Sequence, residues 1–132
     1  MNVDTPKIRF AKNQKEAFDF LSNMENYRDL MPDDTKSFDV HESGKGFSVQ
    51  IGNLPKVGMK LKEAIEPSQL IFESPSPNFE YYLTINISEL NADESEIFLN
   101  FEGKFNMMIE MMAKGPLTNF INTISANLAK VS

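Results

Sequence analysis

Residues 79–87 read FEYYLTINI, and every odd-numbered position in this stretch carries an apolar side chain. A period of two is typical of a β-strand that buries one face. Residues 94–105 repeat the pattern, with apolar side chains at 97, 99 and 101 and polar ones at 100 and 102. Both segments, 79–91 and 94–105, exceed the usual strand length of about 5 to 6 residues, and long twisted strands curl. The sequence therefore predicts a long antiparallel hairpin in a strongly curved sheet.

The chain before this hairpin shows the same period in four shorter segments. These predicted strands cover residues 35–42, 46–52, 56–66 and 69–74. The gaps between them contain Gly, Pro, Asn and Ser, which are typical of turns. Because strands joined by short turns pair antiparallel, we expect one continuous meander.

Two short helices are expected after the first strand. Residues 5–12 alternate as a half-buried strand does. Asn13 stands three residues before Glu16, a spacing that predicts a capped helix start. A second helical turn over residues 25–31 is ended by Pro32.

A long helix is expected at the C-terminal end of the chain. From residue 107 onward the period returns to 3.6, and the apolar stripe consists of Leu117, Phe120, Ile121, Ile124, Leu128 and Val131. Gly115-Pro116 predicts either a kink or a helix that begins at Pro116 after a separate turn. The order of elements predicts a single α+β domain over residues 1–132, in which a sheet of about seven strands wraps around this helix.

Composition excludes several classes of function. The formal net charge of −6 opposes binding to a phosphate backbone, so we expect no nucleic-acid partner. With no Cys and one His, the chain lacks the ligands of a zinc site, and we expect no metal and no cofactor. No stretch reaches the roughly 18 consecutive apolar residues of a membrane span. Together with the absence of Cys, this favours a cytoplasmic protein, and His41 is expected at the surface.

Three passages together resemble the START-like superfamily, which includes polyketide cyclases, lipid-transfer domains and the birch-pollen allergen. Residues 13–32 (NQKEAFDFLSNMENYRDLMP) resemble its helix pair, and residues 57–73 (VGMKLKEAIEPSQLIFE) resemble its mid-sheet hairpin. Residues 107–131 occupy the place of its C-terminal helix. The resemblance implies the helix-grip fold, with a hydrophobic cavity between the concave sheet and the last helix. In that family the cavity takes lipids, steroids, polyketides or other apolar molecules.

The candidate cavity residues are apolar side chains on the inward strand faces and on the last helix. Flexible thioethers before Gly115 suit a surface that repacks around apolar shapes. The alternative is that these side chains simply fill the core. The expected lining is Met59, Leu61, Glu63, Phe72, Phe79, Tyr81, Leu83, Phe101, Met108, Met111, Met112 and Phe120.

Glu63 and Tyr81 are the candidates for chemistry. Strict alternation from Val57 places Glu63 on the inward face, where an apolar cavity would raise the pKa of its carboxyl. A bulge or the opposite register would instead expose this carboxylate. The Tyr81 hydroxyl is expected to bond either a ligand or a backbone carbonyl.

These residues support three functions. The first is binding or transport of an apolar or amphipathic small molecule, without catalysis. The second is an enzyme of the cyclase, dehydratase or hydrolase kind, with Glu63 and Tyr81 as acid and base. The third is a chaperone-interacting module, which requires an exposed apolar patch or a charged groove on the convex face of the sheet.

The outer face of the last helix is nearly free of charge. It carries Thr118, Asn119, Asn122, Thr123, Ser125 and Asn127. This face is interpreted either as a homodimer interface or as an exposed surface.

Overall fold

The computed structural model describes residues 1–131, which form one antiparallel sheet and two α-helices. The strands are β1 (Asn2–Asp4), β2 (Ile8–Phe10), β3 (Thr35–Val40), β4 (Gly46–Ile51), β5 (Val57–Ile65), β6 (Gln69–Glu73), β7 (Glu80–Glu89) and β8 (Ser95–Lys104). The helices are α1 (Gln14–Ser22) and α2 (Met107–Leu128), and a 3-10 helix at Met24–Leu30 follows α1. The α+β class, the curved sheet and the closing helix are confirmed.

Strands β3 to β8 form the expected meander, each paired with the next along the chain. The other edge of β8 pairs with both β1 and β2, which gives eight strands where about seven were expected. The additional strand arises because the first predicted strand is broken into two pieces. Val3 lies opposite Phe101 and Ile8 lies opposite Ile97, so the N-terminal side carries one extra residue between these pairs.

Thr5 maintains the hydrogen bonding at this break. Pro6, the next residue, has no backbone N–H to contribute to the ladder. The backbone N–H of Thr5 donates to the carbonyl oxygen of Leu99 at 2.9 Å, and the backbone N–H of Leu99 donates to Oγ1 of Thr5 at 2.8 Å. The Thr5 side chain is buried, so its hydroxyl oxygen satisfies an N–H group that water does not reach.

Helix α1 begins as its sequence predicts. Oδ1 of Asn13 accepts a hydrogen bond from the backbone N–H of Glu16 at 2.9 Å, which satisfies one free donor of the first turn. Ala17, Phe18 and Leu21 face the core. The 3-10 helix that follows buries Tyr27, whose hydroxyl donates to the carbonyl oxygen of Leu21 at 2.7 Å.

Helix α2 is continuous from Met107 to Leu128, with Pro116 in its interior. The expectation of a helix that begins at Pro116 is therefore wrong. The C-terminal half of α2 packs on the sheet through its buried side chains Leu117, Phe120, Ile121, Ile124 and Leu128. These side chains fill the core beneath this half of the helix. Any cavity between α2 and the sheet must therefore lie beneath the first turns of α2.

We expect Thr5→Val to lower the free energy of unfolding by about 1 to 3 kcal/mol, because the buried N–H of Leu99 would lose its acceptor without a change of shape. Thr84→Val is the matched control, since Thr84 is half-buried on β7 and its hydroxyl makes none of the side-chain hydrogen bonds found in residues 1–131. That variant should stay within about 0.5 kcal/mol of the parent protein. Urea unfolding of both variants checks the prediction, and equal effects would contradict it.

Candidate ligand-binding cavity

A cavity of about 200 Å³ lies between the first half of α2 and one end of the sheet. The β4–β5 loop and the β6–β7 loop close its sides. The lining residues are Leu54, Pro55, Lys56, Val57, Gly58, Ser74, Pro75, Ser76, Phe79, Tyr81, Phe101, Phe105, Ile109, Ala113 and Leu117. Most of these side chains are apolar, so the cavity suits an apolar guest.

Gly58 allows the two loops to meet. A Cβ atom on Gly58 would lie 2.6 Å from Cγ of Pro75, which is closer than side chains approach. Because Gly58 has no side chain, the β6–β7 loop packs directly over β5 at this position. A larger residue at this position would push the loop outward and open the cavity.

Aromatic rings form one wall of the cavity. The rings of Tyr81 and Phe101 stack with centroids 5.7 Å apart, and the ring of Phe105 lies 6.4 Å from Tyr81. Phe79 stands at the mouth with 44% of its surface exposed. Phe101 is fully buried and Tyr81 is nearly so, which means that Phe79 and Phe105 present most of the accessible ring surface to a guest.

The hydroxyl of Tyr81 is already engaged. It donates to the carbonyl oxygen of Gly58 at 2.6 Å. Burial raises the pKa of this phenol, and hydrogen bonds with Ser74 and with Gly58 offset only part of that effect. At neutral pH the phenol is therefore uncharged, with its proton directed at the protein backbone rather than into the cavity.

The other polar groups lie at the loops. Oγ of Ser74 donates to the carbonyl oxygen of Ser76 at 3.2 Å and accepts from the backbone N–H of Ser76 at 3.1 Å. Oγ of Ser76 accepts from the backbone N–H of Asn78 at 3.3 Å, which leaves the Ser76 hydroxyl proton available. Lys56 is the one charged side chain among the described lining residues.

The structure brings three of the predicted cavity residues to this site, namely Phe79, Tyr81 and Phe101. Met59, Phe72, Leu83 and Phe120 are buried in the core instead, and Leu61 is half-buried against it. For these five the core-filling alternative applies, because the meander closes tightly over the middle of α2. The loop residues of the cavity were missed, since nothing in their local sequence indicates that the two loops meet.

The placement of Glu63 in the cavity is wrong. A bulge between Leu61 and Glu63 shifts the register, so that Glu63 pairs with Ile71 on the outer face of the sheet. The neighbours of Ile71 on β6, Leu70 and Phe72, point into the core. Glu63 is consequently exposed, and its carboxylate has no access to the cavity.

The placement of Met108, Met111 and Met112 in the cavity is also wrong. With Met107 they are between 73% and 79% exposed on the outer face of α2. The inner face of this half consists of Ile109, Ala113 and Leu117, which recur every four residues. The stripe that begins at Leu117 could have identified them, because stepping back by four and by eight residues reaches Ala113 and Ile109.

Other candidate residues lie away from the cavity. His41 is half-buried, with Nε2 at 2.9 Å from Oγ of Ser48. Two side chains expected on the outer face of α2 do not lie there, because Ser125 is buried and Nδ2 of Asn127 donates to the carbonyl oxygen of Leu30 at 2.9 Å. The homodimer interpretation of this face stays a prediction.

Two further findings concern residues 1–131 as a whole. They contain no group of three His, Cys, Asp or Glu side chains placed to hold a metal ion. Neither α-helix within this range combines the length and the apolar content that crossing a bilayer requires.

Because the α2 methionines are exposed, we expect Met→Gln to affect stability differently on α2 and in the core. Met108→Gln should change the free energy of unfolding by less than about 0.5 kcal/mol, because water already surrounds this side chain. Met59→Gln should lower it by about 2 kcal/mol or more, because the amide would be buried without partners. Chemical unfolding of both variants tests the contrast, and a large loss in Met108→Gln would place that side chain inside the protein.

The raised pKa of the Tyr81 phenol predicts a loss of stability at high pH. Above pH 10 the unfolded chain releases this proton while the folded chain retains it, so the stabilisation falls until the pH passes the folded pKa. Burial raises the pKa of Tyr27 in the same sense. Each buried phenol contributes a slope of at most about 1.4 kcal/mol per pH unit. Unfolding measurements between pH 8 and 11 should show a shallower fall for Tyr81→Phe, and an unchanged slope would contradict the assignment.

Comparison with known proteins shows likeness in structure and not in sequence. No protein-family model matches the chain, and no curated protein matches it. A START superfamily protein from Mycobacterium smegmatis superposes with a TM-score of 0.67 at 14% identity, covering 98% of this chain and 94% of that one. A point mutant of norcoclaurine synthase from Thalictrum flavum, in complex with a transition-state analogue, gives a TM-score of 0.73 at 13% identity, covering 98% and 92%.

The same synthase in complex with dopamine and hydroxybenzaldehyde gives a TM-score of 0.70 at 11% identity, covering 98% of this chain and 84% of that one. The likeness extends over nearly every element, from the N-terminal strands to α2. At these identities it concerns the fold. The chain therefore has the helix-grip fold of the START-like superfamily.

Proposed function

We propose that this protein binds a small apolar or amphipathic molecule in the cavity beneath the first half of α2, and that it does so without catalysing a reaction. The observation that carries the proposal is a cavity whose wall is built from the rings of Tyr81, Phe101 and Phe105. Removing apolar surface from water into such a space is favourable. A wall of this kind needs no charged partner to hold its guest.

The volume of the cavity limits the size of the buried part of the guest. The cavity measures about 200 Å³. A dry protein cavity of about 150 Å³ accommodates benzene. The enclosed part of the ligand is therefore one ring with a short substituent, or a short chain, rather than a steroid or a long acyl chain.

A structural neighbour supports this size class. The norcoclaurine synthase complex holds dopamine and hydroxybenzaldehyde, and both are single-ring compounds. The shared fold can thus hold single-ring compounds. In the present chain the rings at this site are those of Phe79, Tyr81, Phe101 and Phe105, of which Phe79 and Phe105 are the more accessible.

The enzymatic alternative receives less support from the geometry. Glu63, its proposed acid or base, lies on the outer face of the sheet. The Tyr81 hydroxyl donates to a backbone carbonyl and burial raises its pKa, so it does not act as a base at neutral pH. General acid–base chemistry needs a group within hydrogen-bond reach of the reacting atom.

The interaction-module alternative required an exposed apolar patch or a charged groove on the convex face of the sheet. The exposed apolar side chains concentrate instead on the first half of α2, at Met107, Met108, Met111 and Met112. The exposed apolar surface of this protein thus lies on α2 and not on the convex face of the sheet. Binding in the cavity remains the function that the geometry supports best.

Filling the cavity should abolish binding. We expect the neutral probe 3-phenylpropan-1-ol to bind the parent protein in the high-micromolar to millimolar range, and Ala113→Phe to weaken this at least tenfold by placing a ring in the cavity. Ala126→Phe is the matched control, because Ala126 is exposed on the same helix and does not line the cavity. Amide chemical-shift titration measures both affinities and locates the probe.

The expected shifts cluster at residues 54–58 and 74–79. Two results would contradict the proposal. One is the absence of binding to the parent protein, and the other is binding that survives Ala113→Phe.

A further inference from the structure

The mouth of the cavity carries a positive charge that the protein itself does not neutralise. Lys56 lies in the β4–β5 loop with its side chain exposed. Within residues 1–131 it takes part in none of the ion pairs and none of the side-chain hydrogen bonds. Its ammonium group is therefore free to bind a guest.

Two carboxylates of a neighbouring groove lie opposite cations. Glu80 and Glu73 line a shallow groove next to the cavity, on the outer side of the β6–β7 loop. Glu80 lies 3.0 Å from Nζ of Lys104, and Glu73 sits opposite Lys60 in the β5–β6 register. No Asp or Glu is among the described lining residues of the cavity, so no carboxylate of the lining balances the charge of Lys56, although the formal net charge of the chain is −6.

A second polar group at the opening can donate a hydrogen bond. Oγ of Ser76 accepts from the backbone N–H of Asn78, and the hydroxyl proton finds no acceptor among the described residues. A carboxylate accepts hydrogen bonds readily, and a hydrogen bond to a charged group is stronger than one between neutral groups. An ammonium and a free hydroxyl at one rim together favour an anion over a neutral or cationic group.

We propose that the cavity selects ligands that carry an anionic end group, with a single ring or short chain against the aromatic wall and a carboxylate at Lys56 and Ser76. This inference rests on the proposed function and adds the sign of the charge at the mouth. The chemical class is that of short arylalkanoic or acyl acids. An amine of the same shape is disfavoured, because its ammonium would meet that of Lys56.

The preference has a bounded size. Lys56 is exposed, and ion pairs between exposed groups change an equilibrium by a factor of about two to five. The amine is disfavoured against the neutral compound by a similar factor. The aromatic wall therefore supplies most of the affinity and Lys56 supplies the selectivity.

Three probes with the same ring and chain length separate these contributions. They are 3-phenylpropionate, 3-phenylpropan-1-ol and 3-phenylpropylamine, each titrated at neutral pH by calorimetry or amide chemical shift. The expected order of affinity is carboxylate, then alcohol, then amine. Raising the salt concentration to about 0.5 M should compress the differences while leaving the alcohol unaffected.

Three variants assign the preference to one side chain. Lys56→Gln should bring the three affinities together, and Lys56→Glu should favour the amine over the carboxylate. Lys45→Gln is the control, because it removes the same charge from the β3–β4 loop at an exposed position outside the cavity. It should keep the order found for the parent protein.

The outcomes distinguish this inference from the proposed function. Equal binding of all three probes, or a preference that survives Lys56→Gln, would overturn the anion selectivity and leave the cavity as the binding site. Failure of the neutral alcohol to bind would overturn the proposed function. An ordered series that collapses in Lys56→Gln alone supports both.

Discussion

The packing of one stripe of helix α2 against the concave face of the sheet is the constraint on which the rest of this structure depends. The size of the inward side chains changes along the helix. In the C-terminal half, Phe120 and Ile124 fill the space to the sheet completely. In the first half the inward positions include Ala113, and β5 contributes Gly58 to the opposite side. The side-chain space at Gly58 is taken by Pro75 of the β6–β7 loop, so the small side chain of Ala113 is what leaves one end of the core open as a cavity.

The chemistry of that cavity follows from what encloses it. Tyr81, Phe101 and Phe105 provide ring surfaces, and the one phenol among them is bonded to the backbone of the strand opposite. Using the hydroxyl in this way satisfies a polar group that would otherwise be costly to bury. It also fixes the Tyr81 ring in one orientation, so the wall is formed before a guest arrives. Charge enters only at the opening, where Lys56 remains in contact with water.

The first half of α2 is apolar on both its inner and its outer faces. An ordinary surface helix has a polar outer face, and a helix that is apolar all round is usually buried. Met107, Met108, Met111 and Met112 nevertheless face outward, and the neutral side chains of Asn119 and Asn122 continue this surface along the helix. The inner stripe holds the helix on the sheet, and Glu110 in its first turns also lies 2.9 Å from the N-terminal ammonium of Met1. Asn106 caps the first turn, with its Oδ1 at 2.9 Å from the backbone nitrogen of Ile109.

The sequence by itself determined the elements and their order. Alternation over residues 79–87, turn residues between strands, and the Asn13 cap act over a few neighbouring positions, so local physics is sufficient to recognise them. Alternation also placed Tyr81 and Phe101 on the inward face, where the structure has them.

Only the tertiary structure decided the position of Glu63, the direction of the methionines and the meeting of the two loops. A single extra residue at the bulge after Leu61 reverses the face of every residue beyond it, and strand pairing alone fixes where that residue lies. When a helix has apolar side chains on both faces, its sequence does not indicate which face packs against the sheet. The cavity itself arises between segments far apart in the chain, and its volume depends on packing that no local pattern records.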